Sequence, residues 1–283
     1  MSLSIKDVIH AAQQSLESIS DSARLDVECL LSFALNKETV YLRTWPEKIL
    51  DDSSHEQFLN LLKRREQGEP IAYIVGSKEF WSFNLNVSKD TLIPRPETEM
   101  LVEQVIKIAQ QQKLNSILEL GTGTGAIAIA ISSELQKLQQ QPKIVATDIS
   151  LQALNIAKQN SARYKQGIEF VDSNWFNSIE LQKFDLIVSN PPYIQQGDVH
   201  LTQGDVRFEP MSALVSGDDG LDDIRVIIEQ AKNWLNPGGY LIFEHGYDQG
   251  SAVRALFEVN AYTQIQTHTD LSKNDRMTFA INN

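Results

Sequence analysis

An α/β fold with a small helical bundle ahead of it is predicted by three features of this chain of 283 residues. Apolar residues recur at helical spacing through residues 1–68. A buried-type strand, Ser116–Leu120, runs directly into the glycine turn Gly121-Thr122-Gly123-Thr124-Gly125 and then into an apolar helix. A second apolar strand, Phe184–Ser189, stops on Asn190-Pro191-Pro192-Tyr193. Prolines lack an N–H and fix φ, so that strand must end there. The turn lies at the carboxyl end of a strand, where open α/β sheets bind ligands.

The elements follow in chain order. In the bundle, Ile5, Val8, Ile9, Ala12 and Leu16 mark one helix, and Leu25, Val27, Leu30, Leu31 and Ala34 a second. Ser20, Asp21 and Ser22 are cap-type residues before the second, and Ser53 and Ser54 before a third around Phe58–Leu62. His10 and His55 read as surface or packing residues. Gly68-Glu69-Pro70 ends the bundle, and residues 69–95 form a linker. There Phe83, Leu85 and Val87 alternate with period two, and Glu79–Trp81 completes a hairpin. Arg95 sits between Pro94 and Pro96, either as plain linker or shaping the mouth of the site. From Pro96 the main domain, residues 96–283, begins with a helix whose first turn carries Glu97 and Glu99.

Strand, glycine turn, helix is a nucleotide-binding layout. The spacing here is G-x-G-x-G, however, not the dinucleotide fingerprint G-x-G-x-x-G. Glu119 adds negative charge where a pyrophosphate would sit, which favours a ligand carrying an ammonium group. S-adenosylmethionine fits. Ile144–Asp148 is the next strand, and Asp148 stands about 20 residues beyond the loop, suited to accept from ribose hydroxyls; the alternative is a cap for a helix from Ser150. Ile168–Val171 leads to Trp175, placed to pack on an adenine ring or to fill the core. Asn236-Pro237-Gly238-Gly239 turns into the strand Tyr240–Glu244, His245 packs in a loop, and Tyr262–Ile281 forms two last strands.

The Asn190 turn has specific chemistry. The side-chain oxygen of Asn190 and a nearby backbone carbonyl are acceptors that can take both N–H groups of a planar –NH2. Tyr193 can lie flat against the same group. Such a site holds an amide or an aromatic amine and aims its nitrogen at an electrophile.

Composition bounds the rest. The apolar and charged fractions, 42% and 22%, are those of a soluble globular protein. No apolar run approaches the ~18 residues of a membrane span, and Met1-Ser2-Leu3-Ser4-Ile5-Lys6 lacks a signal-peptide layout. The single Cys29 excludes an intramolecular disulfide and a cysteine zinc cluster, and reads as a buried structural thiol. No metal centre is expected. These features predict the cytoplasm. The net charge of −12 argues against stable nucleic-acid binding but not against a protein partner. The one basic cluster, Lys63-Arg64-Arg65, reads as a solvated helix face.

Across nearly its whole length the sequence resembles the HemK/PrmC protein methyltransferases. The resemblance rests on Gly68-Glu69-Pro70-Ile71-Ala72-Tyr73-Ile74, Glu79-Phe80-Trp81, Leu92-Ile93-Pro94-Arg95-Pro96-Glu97-Thr98-Glu99, Gly121–Gly125, Asn190-Pro191-Pro192-Tyr193-Ile194, Arg207-Phe208-Glu209-Pro210 and Glu244-His245-Gly246. It implies a Rossmann-like, seven-stranded class I S-adenosylmethionine-dependent methyltransferase domain behind a helical substrate-recognition domain. It further implies methyl transfer to the glutamine amide of the Gly-Gly-Gln motif of peptide chain release factors 1 and 2. Gly121, Thr122, Gly123, Thr124, Gly125, Asp148, Trp175 and Asn190 would contact S-adenosyl-L-methionine and its product S-adenosyl-L-homocysteine. Asn190, Pro191, Pro192 and Tyr193 would hold the glutamine, with Asn190, Pro191 and Tyr193 catalytic. The Asn-Pro-Pro-Tyr motif alone is shared with adenine-N(6) DNA methyltransferases, so a nucleic-acid amino-methyltransferase is the rival reading. A non-catalytic release-factor or ribosome binding module is a third.

Overall fold

Ser4 and Asp7 start the first helix by a reciprocal capping box, in which the Ser4 hydroxyl accepts from the Asp7 N–H at 3.2 Å and the Asp7 carboxylate accepts from the Ser4 N–H at 3.3 Å. This helix is α1 (Ile5–Leu16), followed by α2 (Ala23–Leu35), α3 (Thr39–Thr44), α4 (Asp52–Glu66) and α5 (Ile71–Val75). The computed structural model describes residues 3–180 and 182–283, so Met1 and Ser2 of the expected helical domain lie outside the described residues. Ile5, Val8, Leu16, Val27, Leu30 and Phe58 form the bundle core. Leu25 does not join it and is 55% exposed. It stands two positions from Val27, about 200° around the helix, so the two cannot share a face.

Three further expectations change here. Asp51, not Ser53 or Ser54, caps α4 by accepting from the Ser54 N–H at 2.8 Å. Cys29 is half-buried. Arg65 is not solvated: its guanidinium is buried between Asp26, at 2.8 Å, and Asp205, at 2.7 Å. The chain divides into two compact units, Met1–Ser77 with Val199–Phe208, and Lys78–Asp198 with Glu209–Asn283. The helical unit thus runs nine residues beyond Gly68 and takes in a distant segment. Arg65 and Arg207 tie that segment to the helices, Arg65 through Asp205 and Arg207 by donating to the Gln67 carbonyl at 3.3 Å.

The second unit begins inside the hairpin β1 (Ser77–Phe80) and β2 (Phe83–Asn86), at Lys78, and continues with α6 (Glu99–Gln111). Its sheet contains β3 (Ser116–Leu120), β4 (Lys143–Asp148), β5 (Ile168–Asp172), β6 (Phe184–Ser189), β7 (Leu235–Glu244), β8 (Tyr262–Thr269) and β9 (Asp275–Asn282). The seven strands run in the order β5-β4-β3-β6-β7-β9-β8. All pairs from β5 to β7 are parallel, and β9 is antiparallel to both of its neighbours. Parallel neighbours need crossovers, supplied by α7 (Ala126–Lys137), α8 (Leu151–Arg163) and α9 (Asp222–Ala231); α10 (Gly250–Val259) precedes β8.

Successive strand residues face opposite ways. Ile117 packs with Val102, Val105 and Ile129 on one face, and Leu118 with Ile187, Ile228 and Phe257 on the other. Asn236–Gly239, expected as a turn before a strand, forms a bulge within β7. Leu235 pairs with Phe184 and pairing resumes at Tyr240 opposite Leu186. No helix among the described residues is long and apolar enough to cross a membrane.

Candidate active site

At the centre of the sheet, Leu120 ends β3 directly opposite Ser189, which ends β6. From β3 the chain runs outward through β4 and β5 on one side and then returns to β6 and β7 on the other, so strand order reverses between β3 and β6. Gly121 and Asn190 therefore leave the sheet side by side at the switch point, the crevice position of doubly wound sheets.

A cavity of about 480 Å³ opens there, a size suited to a small-molecule ligand. Gly121, Gly123, Asp148, Trp175, Asn190 and Pro192 line it. Other parts of the wall were not legible in the sequence: Lys89–Leu92 from the linker, Ile149 and Ser150 after β4, Ser212 and Ala213, and Asp223 from α9. They come from separate loops with no shared motif, and only their position in the fold unites them. Thr122, Thr124, Gly125, Pro191 and Tyr193 do not line the cavity. Thr122 and Thr124 are buried. At Gly125, φ is +82° and an added Cβ would come within 3.3 Å of Ala157 Cβ, so this glycine serves the packing of α7 on α8.

Two carboxylates lie close together here, Asp148 in the cavity wall and Glu119 buried outside it. Asp148 accepts the Gly123 N–H at 2.8 Å and the Ser150 N–H at 2.9 Å, and thus ties the glycine turn to the start of α8. Ser150 itself caps α8, so Asp148 is no simple cap. Burial raises the Asp148 carboxyl pKa against these lowering bonds. Glu119 is 1% exposed, and burial pushes its carboxyl up to about 8. The Thr122 hydroxyl donates to its Oε2 at 2.6 Å. No described residue reaches hydrogen-bond geometry at Oε1; the Ala128 N–H acts on this carboxylate only through poorer geometry. A buried carboxylate oxygen without a donor, repelled by a second carboxylate, favours a cationic ligand. S-adenosyl-L-methionine, with its ammonium and sulfonium, fits a cavity with Asp148 in its wall and the buried Glu119 near that carboxylate.

Trp175 fills the core and also reaches the cavity. Its Nε1 donates to Asp223 at 3.1 Å, and its Cζ3 lies 3.6 Å from where a Cβ on Gly121 would stand.

Around Asn190 the polar contacts form a chain. Asn190 Nδ2 meets Thr98 Oγ1 at 3.1 Å, Thr98 Oγ1 meets Glu244 Oε2 at 2.7 Å, and the Tyr193 hydroxyl meets Glu244 Oε1 at 3.0 Å. Thr98 and Glu244 are buried. The backbone beyond the turn is held as well: Gln249 Nε2 donates to the Tyr193 carbonyl at 2.9 Å. Gly220, at φ +74°, packs so tightly there that a Cβ would come within 2.3 Å of that carbonyl. Arg95 pairs with the buried Glu209, which also accepts the Ile93 N–H at 3.1 Å. The linker reading of Arg95 therefore gains a partner in the Arg207-Phe208-Glu209-Pro210 motif. His245 is fully buried, with Nδ1 2.8 Å from the Gly246 carbonyl and Nε2 2.8 Å from Thr278 Oγ1. Both ring nitrogens are engaged, and burial lowers its pKa, as suits a packing histidine.

Comparison with known proteins agrees with this architecture. Residues 7–76 match the PrmC N-terminal domain, and residues 96–208 the methyltransferase small domain. A release factor glutamine methyltransferase of Aliivibrio fischeri is 47% identical over 281 residues, covering 98% of this chain and 97% of the relative. The chain belongs to the release factor glutamine methyltransferase family. The family's protein from Haemophilus influenzae is 46% identical over 268 residues, 92% of this chain and 91% of its own. Among solved structures, a methyltransferase from Pyrococcus furiosus matches with a TM-score of 0.51 at 16% identity, over 79% of this chain and 98% of that one. The unit from β1 onward thus has the class I methyltransferase fold.

Proposed function

We propose that this protein methylates the side-chain amide nitrogen of the Gly-Gly-Gln glutamine in peptide chain release factors 1 and 2, in the cytoplasm, without stable nucleic-acid binding. The observation that carries the reading is the shared cavity of the Gly121 loop and the Asn190 turn at the β3–β6 switch point, in a chain of this family. The net charge of −12 suits a protein substrate better than a phosphate backbone. The helical unit around α1–α5, which holds no part of the cavity, is the proposed recognition domain.

S-adenosyl-L-methionine supplies a methyl group already activated by the positive sulfur and leaves as S-adenosyl-L-homocysteine. Glu119, Asp148, Trp175 and the glycine turn bind it in this reading. An amide nitrogen is a poor nucleophile because its lone pair is delocalised into the carbonyl. The protein's contribution is chiefly orientation, which supplies about 7–11 kcal/mol in favourable cases. Asn190 Oδ1 and the Pro191 carbonyl accept the two N–H groups of the glutamine and hold electron density on nitrogen. Pro192 stiffens the turn. The Tyr193 hydroxyl is engaged by Glu244, which leaves the ring for the flat face of the amide. Once the N–C bond has formed, the nitrogen is strongly acidic and its proton passes to solvent.

The test is mass spectrometry of the Gly-Gly-Gln peptide after single-turnover incubation of release factor with Asn190→Ala. Loss of the acceptor is expected to slow methylation on the order of 100-fold or more, with the fold intact. Near-normal methylation would refute the role of the turn.

A further inference from the structure

Asn190 must present a particular end of its carboxamide to the substrate, and the two ends have opposite chemistry. Oδ1 accepts two hydrogen bonds, whereas Nδ2 only donates. A substrate –NH2 needs an acceptor. With Nδ2 turned to the substrate, two donors would meet and the nitrogen would be pushed away. Something in the protein has to choose between two orientations of nearly equal shape.

We propose that Thr98 and Glu244 are positioning residues that fix the carboxamide of Asn190 with Oδ1 toward the substrate. The inference rests on the functional reading above and on how many protons these groups can donate. Glu244, when ionised, has only acceptor oxygens. Oε1 takes the proton of the Tyr193 hydroxyl and Oε2 that of Thr98. Thr98 has a single hydroxyl proton, and it is thereby committed. Toward Asn190 the Thr98 oxygen can only accept, so Asn190 must offer Nδ2, as the 3.1 Å contact has it. Oδ1 is then the free end. Thr98 and Glu244 are 5% and 2% exposed, so water does not compete for these bonds. The three groups come from the start of α6, the end of β7 and the end of β6. Neither Thr98 nor Glu244 lines the cavity, so they act through Asn190 and not on the substrate.

The relay has a polarity that protonation reverses. A proton on Glu244 Oε2 would be donated to Thr98, whose own proton would then go to Asn190 Oδ1, turning Nδ2 toward the substrate. Burial raises the Glu244 carboxyl pKa, against lowering by the Thr98 and Tyr193 bonds and by Arg276 on β9, with Glu97 before α6 opposing. Arg95 and Arg276 also face Tyr193. The competent form is the ionised one, so kcat rises with pH through the Glu244 pKa and then levels off.

The experiment measures kcat, KM for release factor and affinity for S-adenosyl-L-methionine in Thr98→Val, Thr98→Ser, Glu244→Gln and Asn190→Ala. Thr98→Val and Glu244→Gln are near-isosteric, and their cofactor affinity reports that the fold persists. Expected are kcat losses of about 10–100-fold, typical of groups that orient a contacting residue. KM and cofactor affinity should stay within about twofold, the signature of an interaction used in the transition state. Thr98→Ser should restore most of what Thr98→Val loses, and the acidic limb of the kcat–pH profile should vanish in Glu244→Gln. Wild-type kcat in Thr98→Val and Glu244→Gln would overturn the inference. Equal losses in Thr98→Ser and Thr98→Val, or losses that fall on cofactor affinity instead of kcat, would overturn it too. If Asn190→Ala is inactive while the other variants are normal, only this inference fails. If Asn190→Ala is normal, the functional reading itself fails.

Discussion

Replacing Glu119 by Gln should make the ligand-free protein more stable at pH 8 and poorer at binding its cofactor. Burial holds the Glu119 carboxyl at about 8, against an ordinary 4.5. Below pH 4.5 the folded and unfolded states both carry the proton, and the protein keeps its full stability. As pH rises, the unfolded chain ionises first, and stability falls until the folded carboxyl ionises in turn. The interval is about 3.5 pH units at 1.36 kcal/mol each, so the loss approaches about 5 kcal/mol by pH 8 as an upper bound. Glu119→Gln cannot ionise, yet its amide oxygen still accepts from Thr122. Its stability should therefore not fall through this window. The assay is urea unfolding of both proteins without cofactor from pH 5 to 8.5, taking the difference between them to cancel the other titrating groups. A cationic ligand reverses the cost by favouring the carboxylate. Calorimetric titration of wild type with S-adenosyl-L-methionine at pH 7, in buffers of different ionisation enthalpy, should therefore show a proton released that Glu119→Gln does not release. Parallel stability curves, together with no difference in proton release, would refute the reasoning.

Other outcomes follow from the geometry. Asp148→Ala should weaken S-adenosyl-L-methionine by about 1.5–3 kcal/mol, the value of a hydrogen bond to a charged group, and calorimetry showing unchanged affinity would leave Asp148 a role only in joining the glycine turn to α8. Arg65→Met should destabilise the helical unit by about 3–5 kcal/mol, because Asp26 is left buried without its partner; urea unfolding measures it. The same variant frees Asp205, so trypsin should cut after Arg207 faster than in wild type, and unchanged cleavage would mean that Arg65 does not hold that segment.

The strands and the turns that end them were legible in the sequence because their cause is local. Phe184–Ser189 is apolar enough to be buried on both faces, and two prolines forbid its continuation, whatever surrounds it. The glycine turn after Leu120 likewise needs only its own backbone freedom. These two stretches locate the cavity once the strands pair, which is why Gly121, Asp148, Trp175 and Asn190 could be named from the chain alone. What tertiary structure decided is pairing over long separations. Arg65 reads as a solvated residue in a charged run until Asp26 and Asp205 close on it from 39 and 140 positions away. Thr98 and Glu244 stood inside quoted motifs without a role, since a hydroxyl has no direction until its acceptor is placed, and that acceptor lies 146 residues along the chain. Local residue chemistry sets which elements form and where they stop. Proton donors, buried charges and their partners acquire meaning only when the sheet order brings them within 3 Å or so of one another.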